Sequence, residues 1–302
     1  MTRTDGVGSW RPTLARRSFI ELPARERSRA ILDEGTFREL LGPFDRLMSP
    51  WLPRQGIVPQ SDDGVVVARG EIDGRDAVVL AVESAFQGGS IGEVGGSKMA
   101  GALELALRDY DDGRPVRPVI LFETGGVRLQ EANLGLAVIA ELNAAVSALR
   151  PVVPVVGVSA GMVGCFGGMG ITAGLCSYLI LTRQARLGLN GPQVIEQEAG
   201  VEEFDSEDRA LIYAVDGGEQ RFETGVADAL VDDDATLVRD TVRAAFSLGV
   251  PEVHRSQEIG RYGELVERAA SSPPTDPASL RTSWGRSKAS RRLADVVQGD
   301  QA

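Results

Sequence analysis

An α/β fold of repeated strand and helix units is predicted by three features of the 302-residue chain. Short continuous apolar runs, such as Val119, Ile120, Leu121 and Phe122, have the pattern of strands covered on both faces. Two of these runs, at 119–122 and 152–158, give way at glycine clusters to a helical pattern. Two strands joined through Asp73-Gly74, a hairpin signal, and then a helix with Met99, Leu103, Ala106 and Tyr110 on one face supply a ββα unit.

In chain order, residues 1–17 are polar and charged and are expected to form a flexible arm. A short helix at 24–33 ends at Gly35, and Thr36 opens a second helix that includes Phe37, Leu40 and Leu41. Residues 42–60 are proline-rich and form a loop. Strands at 65–69 and 77–83 lead into the glycine-rich run 88–96. A helix from about Arg128 carries Leu129, Leu136, Ile139, Ala140 and Leu142 as a mostly buried face. Helical pattern resumes near Ile171, strands follow at 178–181 and 227–231, and Pro192 opens a helix. The acidic run Glu202, Glu203, Asp205, Glu207 and Asp208 reads as a solvated face and helix start, with helices at 207–213 and 235–248. One domain therefore spans 18–249, and the Ser-, Pro- and Arg-rich residues 250–302 are expected to be a flexible tail with a basic stretch at 286–292.

Composition excludes several classes of function. A net charge of −11 opposes nucleic-acid binding, which needs a basic face. No stretch approaches the roughly 20 apolar residues of a membrane span, and the N-terminus lacks an apolar signal core, so a cytoplasmic location is expected. Cys165 and Cys176 read as small packed residues. His254, the one histidine, lies outside every motif, so Ser-His-Asp and Cys-His schemes lack a positioned base.

The chemistry concentrates at the glycine corners. Gly125-Gly126 and Gly167-Gly168 each sit between a strand and a helix, where backbone amides can meet a negative oxygen. A plain tight turn is the alternative for either corner alone; the pair together has the form of a double oxyanion hole. Gly88 and Gly89 belong to a loop that lets an acyl-thioester arm approach the backbone, and the nucleotide-loop spacing is not met around Lys98. Lys98 either meets a phosphate or carboxylate or is a solvated helix residue. Arg128 and Gln130 can position the thioester arm, or Arg128 is a structural ion-pair partner.

Four stretches in this order, ARERSRAILDEGTF from Ala24, GGSIGEVGGSK from Gly88, TGGVRLQEAN from Thr124 and GLNGPQVIEQ from Gly188, carry a family resemblance. The chain resembles the carboxyltransferase branch of the crotonase superfamily, and within it the beta subunits of biotin-independent malonate decarboxylases. It departs from acetyl-CoA carboxylase beta subunits, since two cysteines cannot build a four-cysteine zinc ribbon, and Thr124 and Val127 replace the usual residues around the first glycine pair.

The resemblance implies a crotonase-like spiral of ββα units and a carboxy-lyase acting on malonyl thioester. No metal or directly bound cofactor is implied; the substrate rides on the CoA-derived prosthetic group of an acyl carrier protein. Implied partners are a gamma subunit that completes the active site, the acyl carrier protein and an alpha-subunit acyl transferase. Gly125, Gly126, Gly167 and Gly168 are the implied amide donors. The alternatives are a biotin-dependent carboxyltransferase half and a non-catalytic scaffold half of such a complex.

Overall fold

The computed structural model describes residues 16–56, 64–131, 133–273, 276–285 and 293–296. The expected N-terminal arm lies outside these residues except for Arg16 and Arg17, as do residues 57–60 of the proline-rich loop and the basic stretch 286–292.

One sheet runs in chain order: β1 (Arg38–Leu40), β2 (Val65–Ile72), β3 (Arg75–Val82), β4 (Arg117–Phe122), β5 (Val156–Ser159), β6 (Tyr178–Thr182) and β7 (Ala229–Val231). The first three strands pair antiparallel, and β3 to β7 pair parallel. Asp73 and Gly74 both take positive φ, as a two-residue hairpin turn between β2 and β3 requires.

The helices are α1 (Ala24–Ile31), α2 (Glu93–Asp111), α3 (Asn133–Leu149), α4 (Gly168–Leu175), α5 (Pro192–Ala199), α6 (Arg209–Asp216), α7 (Gly218–Glu223), α8 (Ala235–Leu248), α9 (Ile259–Ser271) and α10 (Pro277–Trp284). They cover both sheet faces. Ile120 and Phe122 pack in one core with Met99 of α2, Leu142 of α3 and Met169 of α4. Val119 and Leu121 pack in the other with Ile31 of α1 and Val238 of α8. Alternate side chains of β4 thus enter two separate cores, which is why its sequence is uninterrupted apolar.

Three expected elements are corrected. Residues 36–41 are not helical: Leu40 pairs with Val67 in the edge strand β1. Only six residues separate Gly35 from Gly42, too few for a helix nucleus to be recovered by propagation. The helix expected from Arg128 begins at Asn133, after a 3-10 turn at Leu129–Glu131, and Leu129, Leu136 and Ala140 are exposed rather than buried. β5 starts at Val156, because Pro154 supplies no N–H to a ladder.

Among the described residues after Gly249, the expected tail forms α9 and α10, the latter opened by an Asp276 capping box with Pro277 in its first turn. Arg255 pairs with the buried Asp228, and Arg281 Nε donates to Gln220 Oε1 at 2.5 Å. His254 joins this docking, with Nδ1 accepting from Ser256 N at 3.1 Å and Nε2 lying 3.0 Å from the Cys176 carbonyl oxygen.

Burial, reinforced by the Arg255 and Arg150 charges, pushes the His254 pKa down from 6.5 to about 4. Between those values the unfolded chain binds the proton and the folded chain does not, so stability rises with pH there. Its contribution is complete above pH 6.5 and is lost as pH falls through about 4. His254→Gln is therefore expected to flatten the acid limb of a melting-temperature profile across this window; an unchanged limb would contradict it.

Candidate active site

Parallel strands leave their carboxyl ends on one side of a sheet, and clefts form there when successive connections diverge or turn sharply. β4 ends at Phe122 and passes through Glu123 and Thr124 into Gly125 and Gly126; β5 ends at Ser159 and reaches Gly167 before α4 begins at Gly168. The two corners abut. Thr124 N donates to Gly164 O at 2.8 Å, and Phe166 N to Thr124 O at 3.2 Å. Gly126 has φ of 108°, and a Cβ there would stand 3.1 Å from the Phe166 carbonyl oxygen and 3.5 Å from the Gly167 Cα. Glycine is required for this approach.

The other two motif stretches join the same layer. Gly88 O accepts from Gly125 N at 3.1 Å, and Ile91 N donates to Gly126 O at 2.8 Å. Gly89 also has positive φ, and a Cβ on it would overlap the Glu123 carbonyl. On the far side, Cys165 N donates to Arg186 O at 2.9 Å and Gly188 N to Cys165 O at 3.1 Å. All four stretches quoted above converge here, with Arg27 of the first reaching Glu123.

The amide inventory corrects the expected donors. Gly125 N is engaged with Gly88 O, Gly126 N donates to Thr124 Oγ1 at 3.0 Å, and Gly167 N to Leu189 O at 2.7 Å. Only Gly168 of the four expected glycines keeps an amide without a hydrogen-bond partner among the described residues, and Val127 N at the first corner is likewise unengaged. Gly168 opens α4, which has no side-chain cap, so its N–H carries the positive end of the helix. The glycines therefore shape the corners, and the available donors are the amides of Val127 and Gly168. Each can stabilise a negative oxygen.

Three expected substrate-binding side chains have other surroundings. Lys98 is buried, with Nζ donating to Leu41 O at 3.0 Å and Val65 O at 2.8 Å, so it is not a solvated helix residue. Arg128 is fully buried; its guanidinium pairs with Glu131 at 3.1 Å and donates to Ser90 O at 2.7 Å. Its ion-pair alternative is the one the structure adopts. Glu131 in turn accepts from Glu93 N at 2.6 Å and caps α2. Gln130 is exposed, and its carbonyl accepts from Gln55 Nε2 at 2.7 Å.

Residues missed in the sequence reading hold the corners together. Arg27 of α1 pairs with Glu123 at 2.9 Å, both buried, and donates to Phe19 O and Ile20 O. Glu123 Oε1 accepts from Val163 N at 2.8 Å and Gly164 N at 3.2 Å, so one carboxylate at the end of β4 ties α1 to the second corner. The sequence signals were an arginine on the helix face that carries Ala24, Ser28 and Ile31, and an acid ending an apolar strand. Acidic-run residues serve local turns: Asp208 caps α6, and Asp205 Oδ1 accepts from Glu207 N at 2.8 Å. Burial raises the pKa of both thiols, Cys176 to about 12, which keeps them protonated.

The chain matches the profile of the carboxyl transferase domain over residues 21–262. It belongs to the carboxyl transferase domain family. The malonyl-S-ACP:biotin-protein carboxyltransferase MADC of Malonomonas rubra is 41% identical over 262 residues, covering 83% of this chain and 82% of that protein. A chain in the structure of a Pseudomonas malonate decarboxylase hetero-tetramer in complex with malonate superposes with a TM-score of 0.88 at 59% identity, covering 90% of this chain and 99% of that one. A Pseudomonas malonate decarboxylase MdcD-MdcE hetero-dimer gives a TM-score of 0.72 at 55% identity, covering 83% and 97%. The protein is thus a malonate decarboxylase-like carboxyltransferase with a crotonase-like α/β fold. Among the described residues, no helix is long and apolar enough to cross a membrane.

Proposed function

We propose that this chain is the beta subunit of a cytoplasmic malonate decarboxylase, converting malonyl to acetyl thioester on an acyl carrier protein. Its support is the pair of unengaged amides, Val127 and Gly168, on corners that touch. In the reaction the bond between the carboxylate carbon and the methylene carbon breaks, carbon dioxide leaves, and the electron pair passes to the thioester oxygen as an enolate. One amide holds that oxygen and the other the departing carboxylate; the carbon then takes a proton, giving acetyl thioester. Preorganised amides of this kind contribute on the order of a hundredfold or more each. The substrate arrives on the CoA-derived arm of the carrier, and the chain itself holds no cofactor.

A gamma subunit covers the cleft in this reading, and an alpha-subunit acyl transferase loads the carrier. Leu129, Leu136, Ile171 and Leu189, each close in sequence to a corner, are more than half exposed and suit an apolar partner face. A second reading, carboxyl transfer to a biotin protein, is favoured by the name of the Malonomonas rubra relative. Co-expression with the gamma partner, followed by carbon dioxide release from malonyl carrier protein with avidin present, separates the two. Turnover is expected; silence there, with carboxyl exchange appearing only on adding biotin, would assign the transferase reaction instead.

A further inference from the structure

We propose that Arg221 and Asp216 are positioning residues for the second glycine corner, fixing residues 185–189 and through them the Gly168 amide. The proposal rests on the reading of the corners as the reacting site. Arg221 Nη2 donates to Asp216 Oδ1 at 2.6 Å while its Nε donates to Leu187 O at 2.7 Å, so one planar guanidinium spans an acid and a backbone carbonyl. The backbone of the same acid closes the grip, with Leu187 N donating to Asp216 O at 2.9 Å and Gly218 N to Ala185 O at 2.8 Å.

From this gripped segment three backbone hydrogen bonds suspend the corner. Arg186 O accepts from Cys165 N, Cys165 O accepts from Gly188 N, and Leu189 O accepts from Gly167 N, none longer than 3.1 Å. Gly167 immediately precedes the unengaged Gly168 amide. Arg186 adds a lateral tie, donating to Met162 O with its guanidinium 5.7 Å from the Phe166 ring centroid. There is little slack: a Cβ on Gly188 would stand 3.1 Å from the Phe166 ring and 3.2 Å from Asp216 Oδ1.

The pair is poorly arranged for stability alone. Asp216 is 2% exposed, yet its Oδ2 has no hydrogen-bond partner among the described residues, and neither has the buried Nε of Arg186. Full pairing would serve folding better. Neither Arg221 nor Asp216 needs to touch substrate; both act through the chain that carries the donor.

The test uses the complex with its gamma partner. Arg221→Lys keeps the charge but loses the fork, and Asp216→Asn keeps the shape but loses the charge. Each is expected to lower kcat by about tenfold to a hundredfold with KM within about twofold, since small displacements of a transition-state donor act on kcat. Hydrogen exchange at the Cys165, Gly167 and Gly188 amides should accelerate at least about tenfold, with α8 unchanged, because these bonds report local opening. Arg243→Lys, which alters an ion pair to Asp33 and Asp73 on the α1 and α8 face, should leave kcat and these amides as they are. Unchanged kcat in both variants with intact assembly, or exchange rising uniformly along the chain, overturns the proposal. A parent complex that exchanges carboxyl with biotin but does not decarboxylate refutes only the decarboxylase reading, and kcat is then compared on exchange. A complex inactive in both reactions refutes the reading of the corners, and the exchange pattern alone decides the positioning role.

Discussion

Turnover of the assembled complex is expected to fall at least about a hundredfold on Gly126→Val, while Gly125→Ala leaves it close to the parent rate. The two positions are adjacent and differ in what a side chain would meet. At Gly126 the backbone has φ of 108°, which strains any L-residue, and a Cβ would press on the Phe166 carbonyl at 3.1 Å. Relief requires the corners to separate, which moves the Val127 and Gly168 amides apart. At Gly125 φ is not positive, and a Cβ would meet only Gly88 O at 3.6 Å, an ordinary contact. Steady-state rates for both variants, with assembly verified by sizing, decide the matter. Equal rates would mean that the corners merely shape a partner's cleft.

Arg27→Ala should destabilise the chain by about 3–5 kcal/mol, because it leaves the Glu123 carboxylate buried without its cation. The side chains of Arg27 and Glu123 are 7% and 2% exposed, so water cannot take the arginine's place without opening the structure. The loss should exceed that of Arg29→Ala, two residues on, whose pair with Glu26 is exposed and worth about 0–1 kcal/mol. Denaturant midpoints of the two variants give the comparison; similar midpoints would show that Glu123 is held well enough by Val163 N and Gly164 N.

Much of the fold was legible because burial on both faces writes itself as continuous apolar runs. β4 and β6 could be read directly, as could the Asp73-Gly74 turn, whose two positive φ values favour these residue types. The corners were legible as places where side chains are excluded. Which amide stays unengaged was not, since that depends on carbonyls brought from elsewhere: Gly88 O for Gly125 and Leu189 O for Gly167. Lys98 misled for the same reason, as its partners Leu41 O and Val65 O lie 57 and 33 residues away. Composition hid the C-terminal helices, where Leu265 and a few polar contacts to Gln220 earlier in the chain secure an otherwise polar segment.

Because the spatial order of strands β1 to β7 equals their order in the chain, each strand emerging from the ribosome finds its neighbour already in place. No strand must wait for a distant partner, which keeps sheet growth local for a domain of this size. The layer of glycine corners, by contrast, matures late. Val127 appears early, but the Gly168 amide acquires its support only after residues 186–189 and then Arg221 have been made. A nascent chain therefore carries most of its sheet while the second corner still lacks its support, until Arg221 has been made.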